Sequence, residues 1–209
     1  MTLFVFDNDG TLYDDTNTQS VFQEIFLKYC SQKLGVSEEN SHIEILRLKS
    51  KWKTEFSVMA LMYEFAISYH ELVEQTYLKI DLSKCNIPTP DAVRSNALRK
   101  IKCPKVVFTN NPSVFARKVL KHVVLLDHFI DVIGMEETKF HGKPNKASFE
   151  AVQVRHPGFT RYVFCDDSVK NLDAATSFGW STILFDPEGK HRAQNAHISI
   201  SSFDELERL

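Results

Sequence analysis

The chain lacks a basic block, a CxxC pair and any apolar run approaching the ~18 residues of a membrane span. With 25 basic and 27 acidic residues the net charge is only −2, so nucleic acid is not expected as a partner. The local cluster Lys49, Lys51, Lys53 reads as a solvated helix face. Four cysteines, Cys30, Cys85, Cys103 and Cys165, stand at spacings that fit neither a zinc site nor a redox motif. Cys165 reads as a small buried strand residue. No secretory leader is seen ahead of the strand-like run Leu3-Phe4-Val5-Phe6, so a soluble cytoplasmic protein with reduced thiols and no membrane partner is expected. Internal repeats and low-complexity tracts are also missing. Proline does not occur before Pro88.

What is present divides into two rhythms. Between the first strand-like run and the next, Val106-Val107-Phe108, residues 17–82 carry helical spacing. Val21, Phe22, Ile25, Phe26 and Tyr29 recur at that period, followed by stretches over 38–51, 56–65 and 70–82. Phe22, Phe26, Phe56 and Phe65 are expected to pack between these helices. Asn86-Ile87-Pro88-Thr89-Pro90 reads as a linker. Strand-like runs then alternate with helix-like ones. The strands fall at 106–109, 130–133, 162–165, 182–185 and 197–200, and the helices near 113–123, 146–155, 169–178 and 203–209. Such alternation predicts parallel βαβ units in a three-layer, Rossmann-like α/β core over 1–15 and 91–209. The helical insertion over 16–90 far exceeds an ordinary connection of about 2–6 residues and is expected to form a cap.

Chemistry-bearing residues gather where strands end: Asp7-Asn8-Asp9-Gly10-Thr11-Leu12, Thr109-Asn110-Asn111, Lys143-Pro144 and Asp166-Asp167-Ser168. Ligands of open α/β sheets bind in the crevice outside those ends. Asp7 and Asp9 can face one side if the chain stays extended through Asn8, so that one carboxylate attacks phosphorus while the other handles the leaving-group proton. Gly10 permits a sharp turn, and Thr11 is expected to hydrogen-bond locally. Lys143 and the Thr109 hydroxyl suit phosphoryl oxygens. Asp7, Asp166 and Asp167 suit Mg²⁺, which takes oxygen ligands and lets neighbouring carboxylates stay ionised. Thr109 through Pro112 and Asp166 through Ser168 are also expected to cap the helices that follow. Asn171 is expected to brace the acidic loop, and His141 to be a solvated loop residue.

DNDGTL, FTNNP, GKP and FCDDSVKNL, in that order, resemble the four motifs of the haloacid dehalogenase (HAD) superfamily, over roughly residues 3–15 and 100–186. The resemblance implies Asp7 as the nucleophile that forms an aspartyl-phosphate and Asp9 as general acid/base, with its backbone carbonyl on the metal. It implies Thr109, Asn110 and Lys143 at the phosphoryl oxygens, Asp167 as a direct Mg²⁺ ligand and Asp166 as one that acts through another ligand or through water. The insertion resembles a C1-type cap. Leu12-Tyr13, FTNNP and DDSVKNL with Asn171 look toward the pyrimidine 5′-nucleotidase branch. That branch often has an aliphatic residue at the place of Asn8 and Asn at that of Gly10, so here the chain departs from it.

The function so implied is a Mg²⁺-dependent phosphomonoesterase acting on a small phosphate ester, a nucleoside 5′-monophosphate first. Phosphoglycolate and sugar phosphates stand as alternatives. A 2-haloacid dehalogenase would need neither Asp9 nor the acidic doublet. A receiver module is about half this length, and a non-catalytic relative would not be expected to keep every polar position. The sequence sets no oligomeric state.

Overall fold

The computed structural model describes residues 1–190 and 197–208, and it divides into two compact units, Met1–Asp15 with Ile87–Leu209, and Thr16–Asn86. Leu209, the end of the last helix-like run, lies outside the described residues.

The first unit is built on a sheet of β1 (Thr2–Phe6), β2 (Lys105–Phe108), β3 (Asp131–Ile133), β4 (Arg161–Asp166), β5 (Ser181–Phe185) and β6 (Ile198–Ile200). Its order is β3-β2-β1-β4-β5-β6, and every pairing is parallel. The central strands are near-continuous apolar runs because both faces of a parallel sheet are covered. Leu3, Val5, Val106, Phe108, Phe164 and Leu184 pack on one face against Phe149 and Val152 of α7 (Lys146–Arg155) and Leu172 and Ala175 of α8 (Val169–Ser177). Phe6, one residue out of phase with Val5, meets Phe129 and Phe203 instead. That period-two alternation is what separates the layers. The fold is thus the expected α/β, Rossmann-like parallel sheet with flanking helices.

Two further helices of this unit, α5 (Ala92–Lys100) and α6 (Ser113–His122), precede β2 and β3. Helix α5 falls in a stretch to which the sequence reading assigned no element. It buries just Ala97 and Leu98, too few apolar positions to show a helical stripe. Its start is nonetheless written in the chain, because Asp91 accepts a hydrogen bond from the Arg94 amide and pairs with the Arg94 guanidinium at 2.6 Å. The closing run is a 3₁₀ helix, Phe203–Arg208, rather than an α-helix.

The second unit consists of α1 (Thr16–Leu34), α2 (Glu38–Lys51), α3 (Ser57–Phe65) and α4 (Tyr69–Gln75), with 3₁₀ turns at Tyr77–Lys79 and Leu82–Lys84. Phe26, Tyr29, Cys30, Ile45, Leu48, Leu61 and Leu72 form its core, and Phe22 stacks on Phe26 and Tyr77. Phe65 does not join them; it is exposed at the end of α3. Ser37 and Ser68 cap α2 and α4, and Glu38 and Glu39 complement the dipole of α2. The last helix stops earlier than its apolar pattern suggests. The Thr76 hydroxyl donates back to the Leu72 carbonyl at 2.7 Å, and the backbone there leaves helical geometry. No helix among the described residues is long and apolar enough to cross a membrane.

Candidate active site

Register alone brings most of the site together. Phe6 lies opposite Val107 and Cys165, so the next residue, Asp7, stands beside Phe108 and Asp166 at the ends of β2 and β4. The Asp7 amide donates to the Cys165 carbonyl at 2.8 Å, which continues the ladder one step past the strand. β1 is also where the chain, having built outward through β2 and β3, crosses to build β4 on the other side. Such a switch point opens a crevice at the strand ends.

Lys143 arrives from the loop between β3 and α7. Its ammonium donates to Asp7 Oδ1 at 2.6 Å, Asp166 Oδ2 at 2.9 Å and the Phe108 carbonyl at 2.8 Å. All three lysine protons are therefore used. The loop is held by Asn110, whose Nδ2 donates to the Lys143 carbonyl at 2.9 Å while its Oδ1 accepts from the Lys143 amide at 2.7 Å. The Asn110 side chain thus clamps the peptide of Lys143.

Asp7, Asp166 and Asp167 place carboxylate oxygens within 4.8 Å of one another. Burial pushes the Asp7 carboxyl well above its ordinary range; Lys143 opposes this, and the charges of Asp166 and Asp9 add to it. Burial and the neighbouring Asp166 raise Asp167 to about 6. Burial pulls the Lys143 ammonium down, but Asp166 and Asp7 outweigh it and hold the group above its usual value. Three carboxylates thus face one ammonium, leaving two negative charges in excess when all are ionised. An all-oxygen donor set with that excess suits a hard divalent cation. Asp166 is further braced by Asn171, whose amide donates to both carboxylate oxygens at 3.1 Å.

Asp9 points elsewhere. Its Oδ2 accepts from the Thr109 hydroxyl at 2.8 Å and its Oδ1 from the Tyr13 hydroxyl at 2.6 Å. Gly10 makes this possible with φ +77°, a left-handed value that turns the chain back so that Leu12 N bonds Asn8 O at 2.9 Å. The same glycine leaves room for its neighbour, since a Cβ there would lie 2.5 Å from Asp167 Oδ2. Sequence reasoning gave Tyr13 no role at the site. Its signal was a hydroxyl four residues beyond an acid across a glycine turn.

Several expectations are corrected. The Thr11 hydroxyl makes no local hydrogen bond; like the Asn8 amide it is buried without a partner. Thr11 contributes through its carbonyl, which accepts from Arg94 Nε at 3.0 Å. The Thr109–Pro112 loop does not cap α6 with a side chain; Thr109 Oγ1 accepts from Asn111 N instead. Glu136, from the loop after β3, accepts from the Ser113 amide and hydroxyl at 3.0 and 2.8 Å. Ser168 caps α8 with no side-chain bond either, and Asp166 Oδ1 accepts the Ser168 amide at 2.8 Å. His141 is exposed and Cys165 buried, as expected.

A doubly covered parallel sheet with acidic loops and a buried lysine at its carboxyl ends is the architecture of a HAD-type enzyme. A family model described as haloacid dehalogenase-like hydrolase matches residues 1–179, and the chain belongs to that family. A HAD phosphatase from Thermococcus onnurineus is similar over 100% of this chain and 97% of its own, at 21% identity and a TM-score of 0.70. A 2-haloacid dehalogenase from Pseudomonas syringae pv. Tomato covers 100% and 97% at 18% identity and 0.65. The Bacillus subtilis protein YfnB, in a structure bound to magnesium, covers 99% and 97% at 20% identity and 0.60. At these identities the likeness is one of fold.

Proposed function

We propose that this hydrolase is a Mg²⁺-dependent phosphomonoesterase that works through an aspartyl-phosphate on Asp7, with nucleoside 5′-monophosphates as the favoured substrate class. The observation that carries the reading is the gathering of Asp7, Asp166 and Asp167 around the buried Lys143 ammonium, with Asp9 beside them on Thr109. Asp7, Asp166, Asp167 and the Asp9 carbonyl would hold Mg²⁺, which when bound supplies neutralising charge for carboxylates and phosphoryl oxygens.

In the first step an Asp7 oxygen bonds to phosphorus and the bond to the ester oxygen breaks. Asp9 gives that oxygen its proton. In the second, water bonds to phosphorus, the Asp7–phosphorus bond breaks, and Asp9 takes the proton from the water. Lys143 holds Asp7 in place and places positive charge where phosphoryl oxygens gather. Asp9 and the acidic pair favour this reading over dehalogenation, in which no leaving group needs a proton and no cation is called for. The helical unit, inserted between β1 and α5, is read as a C1-type cap that carries substrate selectivity. The nucleotide preference rests on the Leu12-Tyr13, FTNNP and DDSVKNL motifs.

A phosphate-release screen over nucleotide, sugar and short-chain acid phosphates with Mg²⁺ tests the reading. UMP or CMP should lead, EDTA should abolish turnover, and Asp7→Asn should lower kcat by about four orders of magnitude or more. Full turnover by Asp7→Asn, or halide release from chloroacetate with no phosphate from any ester, would overturn it.

A further inference from the structure

We infer that Tyr13 is a positioning residue for the proton-transfer step, holding the Asp9 carboxyl in the orientation that serves the leaving group. The inference rests on the phosphomonoesterase reading and adds to it a residue acting through Asp9.

Four observations support it. The Tyr13 hydroxyl donates to Asp9 Oδ1 at 2.6 Å, within the short range of O–H···O⁻ bonds. Thr109 donates to the other oxygen, Oδ2, at 2.8 Å. A carboxyl gripped at both oxygens by donors from two separate elements, the β1 loop and the β2 end, loses its freedom to rotate. Tyr13 is itself fixed, being 2% exposed. Its backbone forms a parallel bridge with Asp9, closed by the left-handed Gly10 and the bond from Leu12 N to Asn8 O. The chain thus folds back on itself so that one rigid ring reaches the acid from four residues downstream. Thr109 is equally constrained, because its Oγ1 accepts from Asn111 N at 3.0 Å and so directs its own proton toward Asp9. Misplacing a catalytic group by about 1 Å is enough to slow the step it serves.

The Tyr13 hydroxyl is aimed at Asp9 Oδ1, so its effect should fall on the steps that need Asp9. Leaving-group dependence reads that directly. An alkyl phosphate expels a strongly basic alkoxide and needs the proton; p-nitrophenyl phosphate expels a stable phenolate and needs it little. The experiment measures kcat/KM, which ends at phosphoenzyme formation, for both ester types with Mg²⁺ in wild type, Asp9→Asn and Tyr13→Phe.

Asp9→Asn should lose far more activity on the alkyl ester than on the aryl one. Tyr13→Phe should show the same selectivity in milder form, its alkyl loss exceeding its aryl loss about tenfold. Replacement of Tyr13 by 4-aminophenylalanine, which returns a donor to the same place, should restore the ratio. Should Phe fail to fold, 4-fluorophenylalanine fills the hydroxyl's space without donating and repeats the test. Equal losses on both esters for Tyr13→Phe, beside a selective loss for Asp9→Asn, would overturn the role of Tyr13 and leave the phosphatase reading intact. If wild type hydrolyses neither ester, or Asp9→Asn shows no selectivity, the underlying reading itself fails.

Discussion

Lys143, Asp7 and Asp166 place one cation and two anions in a part of the core where side chains are less than a tenth exposed. Buried charged groups are costly to desolvate and often no better for stability than apolar residues of the same size, so such a trio is better explained by chemistry than by folding. Asn8 is a different case. Its amide is fully buried with neither Nδ2 nor Oδ1 bonded, and a buried amide without partners costs about 1–3 kcal/mol. Asn8→Leu keeps the shape and removes the orphaned groups. It should raise the urea midpoint, by about 1 kcal/mol or more in unfolding free energy. A lower midpoint would show that the amide is satisfied in solution. At this scale the sequence was partly legible. Asp7, Asp166, Asp167 and Lys143 are brought together because each follows or faces a strand end. The bonds of the Asn110 side chain to the Lys143 peptide and the unbonded Thr11 hydroxyl were not, because whether a polar side chain meets a neighbouring peptide or nothing depends on loop paths that no period encodes.

Among the elements, the turn after β1 carries the most function per residue. Gly10 is required twice, by its φ of +77° and by the 2.5 Å that would separate a Cβ from Asp167 Oδ2. Gly10→Ala should cost about 1–2 kcal/mol from the left-handed backbone alone. It should also push Asp167 away from Asp7 and Asp166, weakening Mg²⁺ affinity at least tenfold by calorimetry. An unchanged affinity would mean that Asp167 is not a ligand. The strands were readable because burial on both faces writes them as short apolar runs, and their ends fall within a residue or so of the pattern. Helix α5 was not, for its face is nearly apolar-free, and α4 ended early because a threonine hydroxyl competed for a helical carbonyl. Side-chain chemistry, not periodicity, set both boundaries.

For the molecule as a whole, the excess negative charge at the site links cation binding to pH. Asp167 is raised to about 6 from 3.8, so the folded chain binds more protons than the unfolded one between those values. Without a cation, that group's contribution to stability is fully present below pH 3.8 and is lost as pH rises through about 6. Burial raises Asp7 in the same sense. A divalent ion binds the ionised forms and should reverse the trend. Mg²⁺ at about 100 times its Kd adds about 2.7 kcal/mol. The rise in Tm that it produces should therefore be clearly larger at pH 7.5 than at pH 5. Equal shifts at the two pH values would mean that the ion binds somewhere other than Asp7 and Asp167.

The loan of Glu136 to the start of α6 has an architectural outcome. Because a side chain from a different loop moors that helix, the segment directly upstream serves it through the Pro112 carbonyl, and the Thr109 and Asn110 side chains attend to Asp9 and Lys143. At α6 the helix start and the reaction centre are thus served by separate side chains, whereas at α8 the single carboxylate of Asp166 serves both.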